Sequence, residues 1–261
     1  MTQRELATEN NRLVYKTKQR RKRKMLLFYV RHGEPIYIPD SLTELGHKQA
    51  EALVSRMQIC NPDRIFASSS TRAIQTAEPT ANKLQKKIDI LDWCNEDYAG
   101  KEFGANTKSG GRFWCFGVEE VRRLFVSKEV RDMGFEWYNH PDFANENYKA
   151  GMERIQKESD AFFESLGYRH VPEQGGYIAE RPNDDRIALF AHQGFGMAFL
   201  SCLLDIPYPQ FCTHFDFSHS SITVIEFHGE GLVVPKMLQL SNDSHIFEAG
   251  METKYNGQIV F

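Results

Sequence analysis

Six apolar residues in a row, Met25-Leu26-Leu27-Phe28-Tyr29-Val30, stop abruptly at Arg31-His32-Gly33-Glu34. An apolar run without alternation fits a strand covered on both faces, and open α/β sheets keep their ligand sites at the carboxyl ends of such strands. Two later stretches repeat the pattern. Ile65-Phe66-Ala67 leads into Ser68-Ser69-Ser70-Thr71-Arg72-Ala73, and Ile187-Ala188-Leu189-Phe190-Ala191 leads into His192-Gln193-Gly194. Three strand-like runs therefore end in Arg or His, and each precedes a helix-like pattern.

The alternation predicts a three-layer α/β/α sandwich with a mainly parallel central sheet. Thr43 can cap a helix from Glu44 to about Gln58, with Leu45, Ala52, Leu53 and Met57 as its apolar stripe. A helix over Arg72–Lys87 follows, kinked or shortened by Pro79, and Ile88–Leu91 forms a short strand. Between about 105 and 185 the pattern weakens into an insertion rich in aromatics. Within it, Gly104–Arg112 and Val171–Asp185 read as loops, and Val118–Val130 and Tyr148–Leu166 as helices. The alternation resumes with strand Ile187–Ala191, helix Phe195–Leu204 and strands Ile222–Phe227 and Leu232–Leu240. The chain thus divides into a basic tail, 1–24, and one domain, 25–261, interrupted by the insertion.

The net charge of -3 hides an asymmetry. Residues 1–24 hold nine Lys/Arg against Glu5 and Glu9, a net of +7, which leaves -10 for the remainder. Such a tail reads as solvated and without fixed structure, or as a segment that attracts a polyanion or a partner. No apolar run approaches the roughly 18 residues of a spanning helix. Met25–Val30 is also too short for a secretory h-region, and no small-residue cleavage site follows it. Cys60, Cys94, Cys115, Cys202 and Cys212 are odd in number and form no C-x-x-C pair, which fits a reducing, cytoplasmic setting. The sequence leaves a homodimer open.

His32 is the candidate nucleophile, since a neutral imidazole offers a lone pair near pH 7. Attack on phosphorus would split ester hydrolysis into two easier steps through a phosphohistidine. Arg31 and Arg72 supply planar forks suited to phosphate oxygens, and His192 adds a further donor. Alone, each has an ordinary reading: a capping pair, a solvated arginine, a hydrogen-bonded core histidine. Gly194 would let a helix N-terminus approach a phosphate. The spacing His214-x-Asp216-x-x-His219 is a weak metal pattern, with no H-E-x-x-H or cysteine cluster to support it, so neither metal nor cofactor is expected.

Together these residues resemble the histidine phosphatase superfamily, also called phosphoglycerate mutase-like. The matching blocks are Arg31-His32-Gly33-Glu34, the helix start Leu42–Ala50, Ala67–Ala77 and His192-Gln193-Gly194. The resemblance covers about 25–104 and 186–228. It implies His32 as the phosphorylated residue and Arg31, Arg72 and His192 as the phosphate pocket, with Gln193 and Gly194 beside it. It also implies Glu96 as the acid that protonates the leaving oxygen, although Asp97 or Glu102 could serve instead. Gln193 stands where one branch carries an acid beside its second histidine, which resembles the other, phosphatase-type branch.

After Glu34 the chain runs Pro35-Ile36-Tyr37-Ile38-Pro39-Asp40-Ser41, unlike the longer loop of mutase-like members, and it lacks their arginine-rich grip. A metal-independent phosphomonoester hydrolase is therefore expected. A phosphomutase and a non-catalytic phospholigand-binding protein are the alternatives. The substrate would be a phosphorylated small molecule, with a phosphopeptide also compatible. The aromatics of the insertion form either a lid over the pocket or the insertion's own core.

Overall fold

The computed structural model describes residues 23–256. The expectation for the basic tail lies outside the described residues, apart from Arg23 and Lys24.

Thirteen strands are described: β1 Lys24–Arg31, β2 Pro35–Tyr37, β3 Asp40–Leu42, β4 Arg64–Ser68, β5 Ile88–Leu91, β6 Gly104–Asn106, β7 Arg112–Trp114, β8 Tyr168–Val171, β9 Gly176–Ala179, β10 Arg186–Ala191, β11 Ile222–His228, β12 Gly231–Val233 and β13 Lys236–Asn242. The α-helices are α1 Glu44–Cys60, α2 Thr71–Leu84, α3 Glu96–Glu102, α4 Glu119–Phe125, α5 Lys128–Asp132, α6 Tyr148–Ser165, α7 Gln193–Leu203, α8 Tyr208–His214 and α9 Ser244–Glu248. Six strands form the central sheet in the order β13-β11-β1-β10-β4-β5. β1, β10, β4 and β5 pair in parallel, and β11 runs antiparallel to both its neighbours.

Alternate residues of the apolar strands face opposite layers, as the period of two requires. Phe28 and Val30 join Leu53 and Met57 of α1 and Ala77 and Ala81 of α2 in one core. Met25, Leu27 and Tyr29 join the other, which includes Phe162 and Phe163 of α6 and Phe195 and Phe199 of α7. The three-layer expectation holds. The two inner strands end side by side, with Arg31 paired to Ala191, and so deliver His32 and His192 to the same edge.

Thr43 caps α1 as expected, its side chain accepting the amide of Gly46. Several local expectations fail. α2 continues through Pro79 and ends at Leu84. Gly104–Arg112 opens as a hairpin between β6 and β7 rather than a loop. The single helix expected over Val118–Val130 is two, α4 and α5, separated where Ser127 caps the second. Val171–Asp185 contains β9, which pairs with β8 and with β12 in a separate three-stranded sheet. The strand expected over Leu232–Leu240 is split at Pro235, and its halves join different sheets.

The aromatics of the insertion divide. Phe125, Trp137, Phe143 and Tyr148 are buried in mutual edge and stacking contacts, the core reading. Phe113 and Trp114 instead line a surface pocket.

Candidate active site

A pocket of about 940 Å³ opens at the carboxyl ends of β1 and β4. Arg31, His32, Ser70, Arg72, Glu96 and Gln193 line its floor and walls, and Tyr37, Lys101, Arg112, Phe113, Trp114 and Asn256 also face it.

The turn after β1 is built by close backbone approach. A Cβ on Gly33 would stand 2.7 Å from the carbonyl of Gly46, and one on Gly46 would stand 2.3 Å from that of Glu34. Two sequence blocks, Arg31–Glu34 and Leu42–Ala50, thus interlock through glycines. Thr43 donates its amide to Glu34 O at 2.9 Å, and Gln49 accepts the Glu34 amide at 2.7 Å. His32 is buried, and its Nδ1 lies 2.7 Å from Gly33 O. A carbonyl can only accept, so Nδ1 carries the proton and the lone pair resides on Nε2. Burial, followed by His192, Arg31 and Arg72, holds the imidazole well below the usual histidine range. The ring is therefore neutral at pH 7, with its Nε2 lone pair free.

Tyr29 positions the second histidine. Its hydroxyl donates to His192 O at 2.5 Å and accepts the His192 amide at 3.2 Å. Its ring also lies where a side chain on Gly196 would stand. The imidazole of His192 is fully buried, 5.2 Å from that of His32 between centroids, with Nε2 2.8 Å from Ser68 Oγ. Its Nδ1 has no partner. Burial, then Arg72 and Arg31, pushes this histidine down as well.

Arg31 and Arg72 are both buried, with unpartnered Nε atoms. Arg31 donates to Phe217 O and to Asn256 Oδ1. Arg72, in the first turn of α2, donates to Asp40 Oδ1 at 2.5 Å and lies over the Tyr37 ring. Asp40 also accepts the Thr71 amide at 2.6 Å, so the short Pro35–Ser41 segment steers the arginine. Buried donors without acceptors are costly and mark a place for an anion.

Asn95 caps α3, accepting the Asp97 amide at 3.0 Å, and its amide group donates to Ser69 Oγ at 2.9 Å. Glu96 is thereby held at the first helical position. Its carboxylate accepts the amides of Gly194 and Phe195 at 2.9 and 2.8 Å, at the N-terminus of α7. Burial raises its pKa above the ordinary glutamate value, opposed by those amides, Arg72 and Arg31. Of the alternatives, Glu102 is engaged at both oxygens by Arg154 at 2.6 and 2.7 Å, and Asp97 is exposed at the pocket wall.

Gln193 is tied to Asp216 and Asn256. Asp216 accepts from Gln193 and from the Phe217 amide, while His219 stacks 6.2 Å from His32. Among the described residues no group of three His, Cys, Asp or Glu side chains converges as metal ligands would. Ser220 and Ser221 support the turn through their backbones, Ser220 N donating to His32 O and Ser221 O accepting the Arg31 amide, both at 3.1 Å. The sequence does not mark Tyr29, Asp40 or Asn256 as site residues, and it offers His219 only within the weak metal pattern. Tyr29 looks like one more member of an apolar run, and Asn256 carries no local signal.

Residues 27–109 match the model of the histidine phosphatase superfamily, branch 1, a stretch that includes His32, Arg72 and Glu96. The resemblance read from the motifs is borne out there. No curated protein matches the chain. Among solved structures, a histidine-to-alanine mutant of phosphoserine phosphatase from Entamoeba histolytica in complex with phosphoserine has a TM-score of 0.54 at 16% identity. A mycobacterial glucosyl-3-phosphoglycerate phosphatase in complex with inorganic phosphate has a TM-score of 0.53 at 18% identity. Each alignment covers 85% of this chain and 99% of the other. At these identities the likeness is one of fold.

Proposed function

We propose that this histidine phosphatase-like chain is a cytoplasmic, metal-independent phosphomonoester hydrolase acting on a phosphorylated small molecule. The observation that carries the reading is the orientation of His32: Nδ1–H is spent on Gly33 O, leaving the Nε2 lone pair for phosphorus in a pocket lined by Arg31, Arg72 and Glu96.

Nε2 attacks the phosphorus, and the phosphorus–oxygen bond to the leaving group breaks. Glu96, in its protonated form, gives its proton to the departing oxygen. Water then attacks the phosphohistidine, Glu96 takes a proton from it, and inorganic phosphate leaves with His32 restored. Arg31 and Arg72 stabilise charge on the equatorial oxygens through both steps. The Ser68 hydroxyl accepts the Ser70 amide and can donate to His192 Nε2; in that tautomer the His192 proton is on Nδ1, which has no protein partner and is free to act as a further donor. The twin amides of Gly194 and Phe195 keep the Glu96 carboxyl aimed, and its raised pKa lets it hold a proton that an exposed glutamate would lose.

The names of the phosphatases with this fold favour small phosphorylated metabolites. The acid at Glu96 is what a mere phospholigand-binding protein would not require. The test is phosphate release from p-nitrophenyl phosphate in EDTA, with His32→Ala for comparison. Turnover that survives EDTA and falls to background in the variant supports the reading. Turnover unchanged in the variant, or abolished by EDTA, sinks it.

A further inference from the structure

After α9 the chain returns to the site as a strap. Thr253 Oγ1 donates to Asp243 Oδ2 at 2.7 Å, Lys254 Nζ reaches Glu34 Oε1 at 3.1 Å, and Lys254 O accepts the His219 amide at 2.9 Å. The strap brings Asn256 into the pocket lining. There Oδ1 lies 2.6 Å from Arg31 Nη2 and 3.1 Å from His219 Nε2, and Nδ2 donates to Gln193 Oε1 at 2.8 Å. The arrangement fixes the amide's orientation, because arginine can only donate. It also fixes the proton of the neutral His219 on Nε2.

We infer that Asn256 is a positioning residue of the phosphate pocket, one that sets the plane of the Arg31 guanidinium and the rotamer of Gln193; this rests on the phosphoester reading above. Arg31 is a buried cation whose two terminal nitrogens are held at two points, Phe217 O and Asn256 Oδ1. Removing one leaves the guanidinium free to turn about its remaining anchor. Gln193 is likewise pinned at both ends of its amide, by Asp216 and by Asn256. The neutrality of the clamp matters. An amide oxygen orients the guanidinium without cancelling its charge, whereas a carboxylate there would compete with phosphate for the same cation.

The test compares the full chain with Asn256→Ala and Asn256→Asp, reading inorganic phosphate binding by calorimetry, KM for p-nitrophenyl phosphate, and the melting temperature. The alanine variant is expected to weaken phosphate about tenfold, as loss of one hydrogen bond to a charged group does, with KM rising in step. Aspartate keeps the acceptor, so it should melt closer to wild type yet bind phosphate more weakly than alanine. That reversed order is what a merely structural strap would not produce. Phosphate affinity at the wild-type level in both variants, or aspartate binding better than alanine, overturns the inference while leaving the hydrolase reading intact. A wild-type chain that neither turns over ester nor binds phosphate overturns both.

Discussion

The indole of Trp114 occupies the space beside Gly194: a Cβ added there would stand 2.2 Å from its ring. The insertion and the edge of the sheet that carries the candidate site therefore meet without any intervening side chain. Gly194 also donates the amide that holds Glu96. One glycine thus serves two contacts that a larger residue would break together. Gly194→Ala should push the β6–β7 hairpin outward and misplace Glu96. A displacement of about 1 Å costs on the order of 100-fold in rate. The check is kcat/KM alongside the tryptophan emission of Trp114; normal activity with unshifted emission would contradict the packing argument.

Glu96 and His32 titrate in opposite directions from their ordinary values, and this gives the pH profile. The depressed pKa of His32 keeps its lone pair available below pH 6.5, the usual histidine value. The raised pKa of Glu96 extends its protonated form upward from 4.5. Activity should therefore peak on the acid side of neutrality and decline as Glu96 loses its proton. Glu96→Gln should remove the alkaline limb and slow the phosphorylation of His32 by alkyl phosphates about 10²–10⁴-fold, while sparing that first step with p-nitrophenyl phosphate, whose leaving group needs less help. Equal losses in that first step on both ester types, read as the burst of released alcohol or phenol, would assign the acid's role elsewhere.

Much of this was legible because the relevant signals are local. The unbroken apolar run Met25–Val30, the cap at Thr43 and the sequence Ala67–Ala77 each declare their element within a few residues. His32, Arg72 and Glu96 sit at the ends of such elements, and they do converge on one pocket. What could not be read depends on partners far along the chain. β9 is four residues long and is stabilised by β12, from beyond β11, so its glycines and the preceding proline outweighed its alternation. Asn256 reaches Arg31 across most of the sequence. Pro79 does not end α2, which runs on to Leu84 with a buried alanine and threonine face, three residues short of the expected Lys87.

Tyr29→Phe tests how much of His192's placement comes from a single hydroxyl. The substitution keeps the ring but strips the buried His192 amide of its partner, while the His192 carbonyl keeps the Gly196 amide at 3.2 Å. Leaving a buried backbone amide unsatisfied costs about 1–3 kcal/mol. Urea unfolding should show that loss, and KM should rise as His192 drifts. Wild-type stability would mean that the backbone finds other partners.

His170 lies outside the site, between two aspartates, and should make stability depend on pH. Its Nδ1 is 3.0 Å from Asp160 and its Nε2 is 3.2 Å from Asp205, joining β8 to α6 and to the turn after α7. Burial alone would lower its pKa, but the two aspartates outweigh burial and push it up to about 9. A histidine raised above its unfolded value of 6.5 stabilises the fold fully below that pH, and the contribution fades as pH rises through about 9. His170→Gln retains hydrogen bonding without the charge. Its melting temperature should fall furthest below wild type near pH 6 and converge with it near pH 10, beyond both pKa values. A gap independent of pH would show that the ring is held neutral and that hydrogen bonding alone secures the junction.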